Sequence, residues 1–201
     1  MPKSARAKLP AKIVAPESSS ILFEQITPNV HKATFQDVRA GWEGWVLLSS
    51  DRHNDNIKSD RALQLRHLEQ LKERDGLGLD FGDLFDAMQQ RGDNRSNRDE
   101  IRPEDNTEHY FDSIVEHSAD VYAPYAKWLK LYGRGNHESS ALKYHGIDLT
   151  NNLVYRINTH KGADGWHVER WGEPKPIGAV WLRFYLDPAG ELQFDVVSAV
   201  V

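Results

Sequence analysis

The chain has 201 residues, 39% of them hydrophobic, which suits one domain with a real core. Its formal net charge of −5 gives no global basic field for nucleic acid, so any affinity for phosphate must come from a local site such as a metal. The absence of cysteine excludes disulfides, thiolate zinc sites and a cysteine nucleophile.

No apolar run approaches the roughly 20 residues that a membrane span needs. The opening stretch MPKSARAKLPAKIVAPESSS lacks the continuous apolar core of a signal peptide. A cytoplasmic protein without membrane contact is expected. Residues 1–20 read as a flexible basic tail, in which Lys3, Arg6, Lys8 and Lys12 are too sparse for a nucleic-acid-binding arm. Residues 21–201 read as one domain.

Ile21 to Thr27 fits a short strand, followed by a turn at Pro28-Asn29. Trp45 to Ser50 is a compact apolar run of the kind a buried parallel strand carries. Residues 59–74 spell an amphipathic helix with Ser59 or Asp60 as cap and Leu63, Leu68 and Leu71 on one stripe. Leu77 to Phe81 is the next strand, which completes a βαβ unit. Residues 89–106 are dense in charge, Gly and Asn and predict an exposed loop. Residues 107–130 predict a helix broken near Pro124, which lacks the N–H that a helix interior requires. Leu129–Tyr132 is a short apolar segment before Gly133. Helical pieces are expected from Ser139 to Asn158 with a break near Gly146, then a loop-like mix over 160–176. Ala179–Leu186 and Glu191–Val200 read as antiparallel strands around Asp187-Pro188-Ala189-Gly190.

Three polar clusters each follow an apolar run: Asp51-Arg52-His53, Gly82-Asp83 and Gly135-Asn136-His137-Glu138. Asp, His and Asn bind hard and borderline divalent metals, and loops at consecutive strand ends deliver side chains to one crevice. Asp51 and His53 can turn toward one ion where the backbone bends; Asp51 can equally cap a turn and His53 can be a surface histidine. Asp83 has two oxygens, enough to bridge two cations about 3.5–4 Å apart, and it can equally cap a helix begun by Leu84. Asp80 reads as structural and Asp86 as support behind the metal ligands. Asn136 suits a cation that also receives phosphate oxygens. His137 can donate a proton to a leaving alkoxide, or stand exposed beside Glu138 in a glycine turn.

In order and placement the clusters resemble the calcineurin-like metallophosphoesterase family, with its D-x-H, G-D and G-N-H-[D/E] motifs. The stretch FGDLFDAMQ and the run around GRGNHESSALKY look most like phage-borne members, and the resemblance covers about residues 45 to 160. It implies an α/β fold, a layered sheet with flanking helices that forms an incomplete αββα sandwich. It implies two divalent ions of Mn, Mg, Fe or Zn, with Asp51 and His53 on the first, Asp83 bridging and Asn136 on the second. His137 becomes the acid or phosphate-orienting group, and a metal-bridging hydroxide attacks a phosphate mono- or diester, with nucleotides and nucleic acid among the candidate substrates.

The family continues with a further strand-end His and a G-H-x-H segment, and this chain has neither. His145, His160 and His167 are the histidines after Glu138, in helical or loop context. The expectation is therefore the N-terminal portion of a longer phosphoesterase, with an incomplete second site. A non-catalytic remnant acting as a metal-binding or structural module is the alternative. A mononuclear iron site of two His and one carboxylate is a third, and it leaves Asp83 and Asn136 without a role.

Overall fold

A computed structural model describes residues 21–27, 30–87, 96–159, 166–169 and 179–199. The expected basic tail, the turn at Pro28-Asn29 and His160 lie outside the described residues. Among the described residues eight strands run in chain order: β1 (Ile21–Thr27), β2 (Val30–Phe35), β3 (Glu43–Ser49), β4 (Leu77–Asp80), β5 (Leu129–Arg134), β6 (Trp166–Glu169), β7 (Ala179–Leu186) and β8 (Leu192–Ala199). Among them lie the helices α1 (Arg61–Glu73), α2 (Tyr110–Tyr122), α3 (Asn136–His145) and α4 (Leu149–Thr159).

β1 and β2 form a separate antiparallel hairpin. The other strands make one mixed sheet of six, in the order β6-β5-β4-β3-β7-β8. β3, β4, β5 and β6 are parallel neighbours joined through helices, while β7 and β8 are antiparallel. The chain is thus α/β with a mixed sheet and flanking helices. The described strands form this six-stranded sheet and the two-stranded β1–β2 hairpin.

The helices lie where their apolar residues dictate. α1 begins at Asp60, whose carboxylate accepts from Leu63 N at 2.9 Å, and Lys72 sits in its last turn. Its buried residues are His67, Leu68 and Leu71, whereas Leu63 of the expected stripe is only half-buried. The core gathers Leu47 of β3, Leu68 and Leu71 of α1, Ile114 of α2, Leu129 of β5 and Leu153 of α4, all at most 2% exposed. Each such side chain stabilises the fold by about 1.5–3 kcal/mol. Pro124 falls in the short 3-10 turn Ala123–Tyr125 that ends α2, as its missing donor requires. Gly146 closes α3 in the left-handed region at φ 70°.

One expectation is corrected. The loop foreseen over 160–176 contains β6, a four-residue strand pairing with β5 in parallel, and His167 lies within it opposite Tyr132. A run this short carries too little alternation to announce itself. The described part of the charged loop, residues 96–106, holds two 3-10 turns and returns to the crevice, where Ile101 bridges Asn56.

Candidate metal centre

The loops after β3, β4 and β5 leave the same edge of the parallel sheet and interlock. Phe81 N donates to Ser49 O, Asp51 N to Gly82 O, His53 N to Asp83 O and Asn54 N to Leu84 O, at 2.7–3.1 Å. The first two loops therefore run on beside each other after the strands end. The third comes in through glycine contacts. A Cβ on Gly82 (φ 104°) would lie 2.3 Å from Gly135 N, and one on Gly135 would lie 2.1 Å from Asp83 Oδ1. The glycines of the second and third motifs are thus spacers that let two loops touch.

Asp51, His53 and Asp83 all have positive φ, at 53°, 43° and 54°. Left-handed backbone at non-glycine residues is costly and clusters at functional sites. Asp51, Arg52 and His53 all line a cavity, and Arg52 is buried. Arg52 Nε meets Asp80 Oδ2 at 2.9 Å and Ser49 Oγ at 3.2 Å, with its guanidinium 5.7 Å over the Tyr122 ring. This buried pair anchors the first loop to the end of β4, so Asp80 has the structural role expected of it.

The residue that joins the clusters is Asp86. Its Oδ1 lies 3.5 Å from His53 Nδ1 and 3.5 Å from His137 Nδ1. His53 and His137 stand edge to face with ring centres 4.7 Å apart. One ligand atom from each of the three lies within 4.8 Å of the others, and among the described residues this is the group of His, Asp or Glu that could hold a metal ion. Two ligands of a tetrahedral ion with bonds of about 2.1 Å stand about 3.4 Å apart. The spacing fits. Two imidazoles and a carboxylate suit zinc, iron or manganese by donor type.

His137 Nδ1 also contacts the Asp86 carbonyl oxygen. That hydrogen bond and ligation through the same nitrogen exclude each other. His137 thus binds an ion through Nε2 with the carbonyl bond kept, or through Nδ1 with it broken.

Asp86 is itself held. Asn56 Nδ2 donates to its Oδ2 at 2.7 Å, while Asp55 accepts from Asp86 N at 2.6 Å and Ala87 N at 3.0 Å. Burial pushes the Asp86 carboxyl up, but the hydrogen bonds from His53 and Asn56 and the charge of His137 hold it below its ordinary value. For His53 burial lowers the pKa, yet the Asp86 hydrogen bond and the charges of Asp86, Asp83 and Asp51 leave it raised. The site is a concentration of negative charge around two imidazoles, which a cation relieves.

Asp83 is buried and its Oδ1 accepts from His137 N at 2.9 Å, at the start of α3. Glu138 is 1% exposed and accepts from Gly135 N, Phe85 N and Asp83 N at 2.9–3.1 Å. It is a latch between the second and third loops rather than an exposed partner of His137. Burial pushes its carboxyl up to about 7.

The five sequence candidates are thus placed unequally. His53 and His137 enter the three-residue cluster, and Asp51 and Asp83 lie close enough to act on His53 by charge. Asn136 is the exposed first residue of α3, beside His137. Asp86, expected only in support, is the member that sequence reasoning undervalued. His145 packs its ring 5.4 Å from Phe111. Comparison of the chain with protein-family models, with curated proteins and with solved structures gave no match.

Proposed function

We propose that the chain is a metal-dependent phosphoesterase with a calcineurin-like site at the ends of β3, β4 and β5. The observation that carries this reading is the meeting of His53, Asp86 and His137 beside the carboxylates of Asp51 and Asp83. One divalent cation would be held by His53, Asp86 and His137, and Asp51, Asp83 and Asn136 would serve a second. Such ions polarise phosphoryl oxygens and lower the pKa of bound water.

The chain's own residues do the rest. Asp86, fixed by Asn56, orients both imidazoles. The N–H of His137 fixes Asp83.

The test is hydrolysis of bis-p-nitrophenyl phosphate and p-nitrophenyl phosphate with manganese. Wild type turns over at least one of them, and Asp83→Ala lowers the rate by about a hundredfold or more, of the order found when a metal or its orientation is lost. Metal-independent turnover, or an unaffected Asp83→Ala, contradicts the reading.

The three-residue cluster also favours a second reading, a mononuclear centre in a non-catalytic metal-binding module. Stoichiometric metal without turnover of either ester selects it. An iron oxygenase of the two-His-one-carboxylate kind gains the same triad, but leaves Asp51 and Asp83 unexplained.

A further inference from the structure

The charged segment at residues 96–106 is stitched to the loop after β3 on both sides of Glu100. Ile57 N donates to Glu100 O at 2.8 Å, and Arg102 N donates to Asp55 O at 3.0 Å. The Arg102 side chain adds Nε to Asn54 O at 2.9 Å and Nη2 to Ser59 O at 2.8 Å. The backbone that carries Glu100 is thus fixed against the loop that carries His53.

The Glu100 carboxylate divides its two oxygens. Oε1 accepts from Asn97 Nδ2 at 3.0 Å and meets Lys58 Nζ at 2.6 Å, while Oε2 accepts from Asn56 Nδ2 at 3.3 Å. The same Asn56 nitrogen donates to Asp86 Oδ2 at 2.7 Å, and the amide oxygen accepts from Lys58 N at 2.9 Å. A carboxylate only accepts, so an amide turned the other way would set its oxygen against two carboxylates. The Asn56 amide therefore has one orientation, with both N–H groups engaged. Asp86 divides its oxygens in turn. With Oδ2 taken by Asn56, Oδ1 is the oxygen presented to His53 Nδ1 and His137 Nδ1, each 3.5 Å away.

On the reading that His53, Asp86 and His137 hold a cation, we infer that Glu100 is a positioning residue of that centre. It acts through Asn56, whose amide aims Asp86 Oδ1 at the ion. The charged loop is then part of the site, although none of its described residues belongs to the cluster. Hydrogen-bond partners behind a metal ligand commonly carry about 10–100-fold of affinity, and Glu100 stands one bond further out, so its share is smaller. A negative charge near a cation also attracts it without any network. Here Lys58 pairs with that charge, and the test separates the two effects.

Manganese titration of the metal-free full chain is compared for wild type and variants in about 1 M salt, which screens charges beyond about 3 Å. Glu100→Ala weakens binding about threefold or more, whereas Glu100→Gln, which loses the charge and keeps an oxygen acceptor, stays within about twofold of wild type. Asn56→Ala weakens binding about tenfold or more. Adding Glu100→Ala to Asn56→Ala changes nothing further, because residues in one network are not additive. Urea unfolding in chelator checks that each variant is folded, and Glu100→Gln decides by itself where Glu100→Ala is not. The positioning role is overturned by Glu100→Gln falling to the level of Asn56→Ala, by no loss in Glu100→Ala, or by a loss that persists in full beside Asn56→Ala. A wild type that binds no manganese overturns it as well. The predicted affinities without ester hydrolysis remove the phosphoesterase reading alone, and ester hydrolysis with wild-type affinity in Glu100→Ala removes the positioning role alone.

Discussion

Asp86 is the residue on which the proposed centre turns, because one carboxylate oxygen faces both imidazoles at 3.5 Å. Its importance is not legible in the sequence, where it is one of several acidic residues after β4. What selects it is the left-handed turn at Asp83, φ 54°, and the grip of Asp55 and Asn56. Arg52 is the reverse case. Its place inside D-x-H invites a functional role, yet it is buried against Asp80, and removing one partner of such a pair costs about 3–5 kcal/mol. His67 gives a prediction at this scale. Its folded pKa lies below the ordinary value, so below about pH 6.5 the unfolded chain binds more protons than the folded one. The stability it contributes is present above that pH and lost as pH falls. Urea unfolding in chelator at about pH 7.5 and about pH 5.5 should show a larger loss for wild type than for His67→Leu. Parallel losses would contradict a buried neutral ring.

At the scale of elements, the site is three loops held by backbone contacts and by Glu138. The strand-loop-helix order of β3, α1 and β4 was readable because apolar runs end abruptly in polar clusters, and α1 has a cap and a periodic face. The glycines of the G-D and G-N-H-E motifs were visible, but their purpose was not, since a contact between Gly82 and Gly135 spans two loops distant in sequence. The latch of Glu138 was hidden for the same reason, with partners 3, 53 and 55 residues away. Gly135→Ala is therefore expected to displace Asp83 and to cost about 1–3 kcal/mol as an overpacked contact. It should also weaken manganese binding, as read by urea unfolding and metal titration on the same sample. An alanine variant matching wild type in both measurements would show that the loops do not need to touch there.

For the whole molecule, the sheet order β6-β5-β4-β3-β7-β8 puts the parallel strands together and their loops at one edge. That is where open α/β sheets carry ligands, and it is why clusters about 30 and 50 residues apart converge. The α/β class was legible from alternating apolar runs and helical periods. β6 was not, being four residues long, and the assignment of a layered phosphoesterase fold rests on motif resemblance rather than on the comparisons. The charge balance of −5 leaves attraction for phosphate to the centre itself, so the proposed chemistry depends first on cation binding. The most direct measurement is equilibrium titration of the metal-free chain with manganese, beside Asp86→Asn, which keeps shape and removes charge. Wild type is expected to bind saturably, with an affinity at least about tenfold lower in the variant. Failure of wild type to bind, or equal binding by Asp86→Asn, would contradict it.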